Sequence, residues 1–189
     1  MRQLCPFLDQ ESLQTVTHAL VISRIDYCNA LYMGLPLKSI QKLQLAQNAA
    51  ARAVLGAPRR AHITPLLCEL HWLPVCFWVQ FKVLVITFKA LHGMGPGYLK
   101  DRLVPIRSTC PTQACKEGML RTRSTKEFHL VGSWRRAFSA VAPALWNILL
   151  PKVRQAPSLL DFRRQLKTWP CHHAWGENES SHSWGWLVS

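Results

Sequence analysis

The sequence predicts a mainly α protein: an irregular helical bundle that carries one long basic loop and, within it, one short β-hairpin. Three observations point there. Apolar residues recur at helical spacing in successive stretches up to residue 93. Glycine or proline closes each stretch, at Gly34-Leu35-Pro36, at Gly56 and Pro58, at Pro74 and at Gly93. Between residues 104 and 133 the period vanishes, and Pro, Ser, Thr, Gly, Lys and Arg collect instead.

The first helix spans residues 10–33, with Asp9 as its N-cap. Leu13, Val16, Leu20, Tyr27 and Leu31 form its inward stripe. That spacing reads the cluster Asp26-Tyr27-Cys28-Asn29 as the end of a helix, not the edge of an active site. The second helix covers 37–55, with Ile40, Leu43, Ala46, Ala50 and Val54 on one stripe. Ala49, Ala50 and Ala51 are small enough for another helix to approach closely. After the basic turn "APRRAH", Thr64 is placed to cap a short third helix with Pro65 at its first position.

Pro74 ends that helix and opens a fourth, which runs to Gly93 and is apolar nearly all round. It is the expected centre of the core. Its length would span a bilayer, but Gln80, Lys82 and Lys89 interrupt it. A charge near mid-span costs about 2.5–3.5 kcal/mol, so a buried helix fits better than a membrane span.

"MGPGYLKDRL" gives a turn and a short helix. The hairpin is expected from "MLRTRST" and "EFHLVG". Two helices follow, at 135–149, bent or broken at Pro143, and at 158–168. The second opens on Ser158-x-x-Asp161, close to a capping box. The tail from Pro170 shows no helical period and is expected to be disordered. The expected organisation is therefore a bundle at 1–103, a basic loop at 104–133, short helices at 134–169 and a tail at 170–189.

Net charge is +13, distributed as +6 over residues 1–100, +9 over 101–169 and −2 over 170–189. A basic body makes a polyanion the default partner, RNA or DNA before a membrane surface. Seven cysteines, most within apolar periodic stretches, read as reduced thiols. With no leader-like start, this favours an intracellular protein, cytoplasmic or nuclear.

Motifs for chemistry are scarce. No nucleophile elbow or phosphate-cradling glycine loop occurs, and no two acids are adjacent. Two-metal phosphoryl transfer needs converging carboxylates, so no catalytic residue, cofactor or small-molecule substrate is assigned. Cys110 and Cys115 with Cys171, His172 and His173 offer soft ligands, but at looser spacing than a designed zinc site, and no metal is assigned. His71 and His92 sit near helix ends and read as capping or core histidines.

The candidate nucleic-acid contacts are cations. Lys38 and Lys42 lie one turn apart at the start of the second helix, and Arg59 and Arg60 follow its end. Arg121, Arg123 and Lys126 fall in the loop, and Arg135, Arg136, Arg163 and Arg164 on the last helices. Such residues grip phosphates without reading sequence. A solvated basic surface is the plain alternative.

Six blocks then stand in one order: "LVISRIDYCNALYMGLP", "LQLAQNAAARAVLG", "HITPLLCELHWLPV", "FKVLVITFKALHGMGPGYLKDRL", "RAFSAVAPALWNILLP" and "APSLLDFRRQLKTW". Together they resemble the carboxy-terminal part of the polyprotein of non-LTR (LINE-type) retrotransposons, over residues 2–169. The resemblance implies thumb-like and post-polymerase helices that hold RNA template and DNA primer by their backbones. The family's catalytic Tyr/Phe-x-Asp-Asp motif, which holds magnesium, lies upstream of these blocks. None of its residues has a position here, and no Asp-Asp occurs in the chain.

Three departures stand beside the likeness. The blocks begin just behind Met1, as expected of a truncated element. Cys76, Phe77 and Trp78 stand where the family usually has charged residues, often Arg, as mutational decay would leave them. The tail after Trp169 matches nothing in the family. The implied function is a non-catalytic reverse transcriptase fragment that binds nucleic-acid backbones without sequence preference. The alternatives are a domesticated helical protein-interaction module, or part of an RNA-directed DNA polymerase whose catalytic region lies outside this chain.

Overall fold

The computed structural model describes residues 8–27, 29–106, 118–122 and 137–175, with backbone only at residue 37 and from 168 onward. The fold is mainly α, an irregular set of helices. Contacts divide the chain into two compact units that meet in sequence between Val79 and Gln80, inside a helix.

In the first unit, α1 (Gln10–Thr17) opens as expected, with the Ser12 backbone N–H donating to the Asp9 carboxylate at 3.3 Å. The helix then widens into one π-helical stretch, His18–Ile22, before α2 (Ser23–Asp26). A wide turn takes in one residue more than an α-turn, which rotates everything after it by about 100°. The inward stripe therefore passes through Leu13, Thr17, Ile22, Ile25, Asn29 and Met33, all buried. Leu20, Tyr27 and Leu31 are 58%, 76% and 73% exposed, so the single stripe expected through them is corrected. Tyr27 turns extended, and a short 3-10 turn, Asn29–Tyr32, leads to Gly34 at φ 75°.

Helix α3 (Leu37–Val54) packs against α1 and α4 (Ile63–Glu69). Its inward face is Gln47, Ala50, Ala51 and Val54, while Ala46, expected inside, is exposed. The reason is a polar contact. The Gln47 amide donates to the Leu73 carbonyl at 2.9 Å, and the Val75 N–H donates to the Gln44 carbonyl at 2.8 Å. The two side chains are tied together by the Gln44 amide donating to Gln47 Oε1 at 2.9 Å. They satisfy the backbone where α5 (Val75–Leu91) begins, beside Pro74, which has no N–H to offer.

Helix α4 begins at Ile63, one residue before the expected cap. Its N-cap is His62, which makes no side-chain capping bond, and Thr64 and Pro65 lie inside the first turn. It ends in a Schellman motif: Trp72 N–H donates to Leu67 O at 2.8 Å and His71 N–H to Cys68 O at 3.0 Å. The left-handed position of that motif is occupied by His71, at φ 54°.

In the second unit, the rest of α5 buries Val83, Leu84, Val85, Thr87, Phe88 and Ala90, as the all-round apolar pattern predicts. No helix among the described residues is long and apolar enough to cross a membrane. After α6 (Gly97–Lys100), Val104 and Ile106 meet Met119 and Arg121 in one antiparallel bridge, Pro105 to Leu120. Asn147 holds that bridge: it accepts from Leu120 N–H at 2.8 Å and donates to Leu120 O at 2.7 Å. The segment expected to begin a hairpin thus pairs backward with 104–106, and the expected partner "EFHLVG" lies outside the described residues.

Helix α7 (Phe138–Ile148) runs through buried Pro143 without a break. The short α8 (Pro151–Arg154), unforeseen in the sequence, starts on a proline. Helix α9 (Leu159–Trp175) carries the expected capping box, with Asp161 N–H donating to Ser158 Oγ at 3.1 Å and Ser158 Oγ–H to Asp161 at 2.7 Å. It runs past Pro170 to Trp175, farther than the disordered tail expected from residue 170. Phe162 stacks on Phe88 with ring centroids 4.4 Å apart, and Trp146 lies 5.8 Å from Phe162. Burial of side chains this large contributes about 1.5–3 kcal/mol apiece.

Candidate nucleic-acid interface

Seven of the eleven candidate cations fall within the described residues; Arg123, Lys126, Arg135 and Arg136 lie outside them. On the first unit, Lys38 and Lys42 are exposed in the first two turns of α3. Arg59 and Arg60 are exposed in the turn that follows the helix. That turn is built by Gly56 at φ 62°, where the chain reverses and Ala57 N–H reaches back to Arg52 O at 2.9 Å. It is pinned from the helix by Arg52, whose Nη2 donates to Ala61 O at 3.2 Å. Arg52 was not among the sequence candidates. Its only signal was a position two turns before Arg59.

The two exposed pairs stand at opposite ends of one helix. From Lys38 to Val54 the axis advances about 24 Å at 1.5 Å per residue. That matches about seven steps of a B-form strand at 3.4 Å each. The structure therefore does not merge the four into one pocket. It sets them as two separate points of positive charge. No ion pair to a described carboxylate engages any of them.

On the second unit, Arg121 is exposed beside the bridge. Arg164, 82% exposed at its side chain, lies 3.6 Å from Asp161 one turn back, a surface pair that is largely screened. Arg163 is half-buried and its Nε has no acceptor; Arg154 on α8 leaves Nε and Nη1 in the same state. These nitrogens are buried, so they are not surfaces on which an outside phosphate could sit.

The acids do structural work. Asp9 caps α1, Asp26 accepts from Asn29 Nδ2 at 3.2 Å, and Asp161 closes the capping box. Among the described residues no three His, Cys, Asp or Glu side chains are placed to hold a metal ion. The candidate zinc ligands Cys110, Cys115, Cys171, His172 and His173 are outside the described side chains. His71 is exposed in the left-handed cap, and His92 stacks on Phe88 with centroids 3.9 Å apart. No protein family, curated protein or solved structure matches this chain.

Proposed function

We propose that this chain is a non-catalytic segment of a non-LTR retrotransposon polyprotein that binds RNA and DNA by their backbones, without sequence preference. The observation that carries the binding is the exposed Lys38–Lys42 and Arg59–Arg60 pairs at the two ends of α3, with no ion pair to a carboxylate among the described residues, in a chain of net charge +13. The six blocks of family resemblance and the helical architecture support the origin.

The test is a salt titration. Fluorescence anisotropy of a labelled single strand, in RNA and DNA versions of mixed sequence, is followed from low to physiological salt. Binding should weaken steeply, with a log–log slope of about −0.7 per phosphate contact. The combined variant Lys38→Ala, Lys42→Ala, Arg59→Ala and Arg60→Ala should flatten the slope by about 3. Affinity that ignores salt, no binding at low salt, or an unchanged slope in the variant would refute the proposal. Primer extension with magnesium and any template should yield no product.

A further inference from the structure

The outward face of α3 does something the cations alone do not explain. Because Gln44 and Gln47 turn inward to the 73–75 backbone, the helix presents apolar residues to the outside. Leu45 is 66% exposed, and Ala46 and Ala49 are exposed on the same face. Together with Ala53, Arg52 and Arg59 they line a half-open groove of about 820 Å³. Its walls are low. Alanines let a second helix axis come to the near end of the usual 8–10 Å range.

The charge around the groove selects the occupant. At successive turns along this face, Lys38 and Lys42 precede Leu45, and Arg52 and Arg59 close the far end. Among the described residues no carboxylate lines the groove, and Arg59 is exposed at its far end. A second copy of a chain with net charge +13 would bring cations against cations. Nucleic-acid bases would find no aromatic ring among the lining residues to stack on, and no donor in the apolar middle.

We infer that this groove docks an amphipathic acidic helix of a partner protein, its apolar stripe on Leu45, Ala46, Ala49 and Ala53 and its carboxylates on the basic residues at either end. Apolar contact supplies affinity, and the end charges select an acidic over a basic helix.

Two fluorescein-labelled designed helices of about 18 residues, matched to the length of α3, provide the probes. Both carry the same Leu/Ala stripe; one has Glu and the other Lys near its ends. Anisotropy with the full chain should show the Glu helix binding at least ~10-fold tighter than the Lys helix. Ala49→Arg, at an exposed position in a residue type that favours helix, should abolish binding of the Glu helix. Ala46→Lys serves as an independent block should the first variant lose its circular dichroism. Arg59→Glu should shift preference toward the Lys helix. The added cation of Ala49→Arg leaves nucleic-acid binding intact, which separates failure here from failure of the backbone-binding proposal.

Equal binding of both helices, or full binding by both blocked variants, overturns the inference. So does a wild-type dimer in sedimentation that Ala49→Arg dissolves, which would assign the groove to a second copy. Single-stranded RNA binding that both Ala49→Arg and Ala46→Lys abolish would assign it to nucleic acid. A ~10-fold gain in affinity on removing residues 176–189 would assign it to the chain's own tail.

Discussion

Replacing Gln47 by leucine should cost the first unit far more than a glutamine on a helix surface would suggest. Gln47 is fully buried, its Nε2 donates to Leu73 O at 2.9 Å, and its Oε1 accepts from Gln44. Leucine fills most of the volume but orphans the Leu73 carbonyl. The Gln44 amide keeps Asn48 Oδ1 at 2.8 Å, so it loses one of two acceptors. A buried group left unsatisfied costs about 1–3 kcal/mol, and the apolar gain of leucine offsets a part. The net expectation is a loss of about 2 kcal/mol, a factor of roughly 30 in the folded-to-unfolded ratio. Urea unfolding followed by far-UV circular dichroism measures it. Gln41→Leu, exposed on the same helix, should stay within about 0.5 kcal/mol of wild type. Hydrogen exchange offers a local readout, because Gln44→Leu should strip protection from the Val75 amide. In a double-mutant cycle the two glutamines should show a coupling of at least about 0.5 kcal/mol. A Gln47→Leu protein as stable as wild type, with no coupling to Gln44, would refute the account of why α3 faces inward as it does.

Three further predictions follow from the helix ends. His71→Gly should raise stability by about 1 kcal/mol, seen as a higher thermal midpoint, because glycine adopts the left-handed cap at φ 54° without a Cβ penalty; an unchanged or lower midpoint would show that the His71 ring contributes more than its backbone costs. Ser158→Ala should cost about 1 kcal/mol and fray the start of α9, read by urea midpoint. The Ser12 hydroxyl, then its backbone N–H, holds the Asp9 carboxyl below its ordinary value of 3.8. A depressed folded value means its contribution is present above the unfolded value and lost as pH falls through the folded one. Wild type should therefore lose helix below about pH 4 more than Asp9→Ala does, and parallel acid titrations by circular dichroism would contradict this.

What the residues disclosed in advance were the things local chemistry decides. Asp9, Gly56, the Ser158–Asp161 box and Pro74 as the opening of α5 each act within four residues of themselves and stand where the pattern placed them, although α4 closes at His71, before the proline expected to end it. The facing of helices was less legible, because it rests on partners distant in sequence. Gln47 is drawn inside by a carbonyl 26 residues away, and that bond displaces Ala46 outward. Asn147 likewise fixes Leu120 across 27 residues. Of the site, the cationic positions were readable from charge, whereas Arg52 as the pin of the Arg59–Arg60 turn, and the apolar strip between the two basic ends, emerge only once α3 is rotated by its glutamines.

The π-helical stretch at His18–Ile22 has a consequence for how this chain tolerates change in length. It is the geometry of a helix that has absorbed an insertion, storing the surplus residue as a local swelling while the flanking turns keep their contacts. The accommodation runs in one direction. Deleting one residue from within His18–Ile22 would smooth the swelling into a regular α-turn and leave Ile22 and Ile25 inside, whereas straightening it at unchanged length would swing Ile22 and Ile25 out toward water and carry Tyr27 inward. A stretch that reads as an irregularity is then the register mark of the whole amino-terminal segment, a place where the loss of one residue leaves the inward face intact.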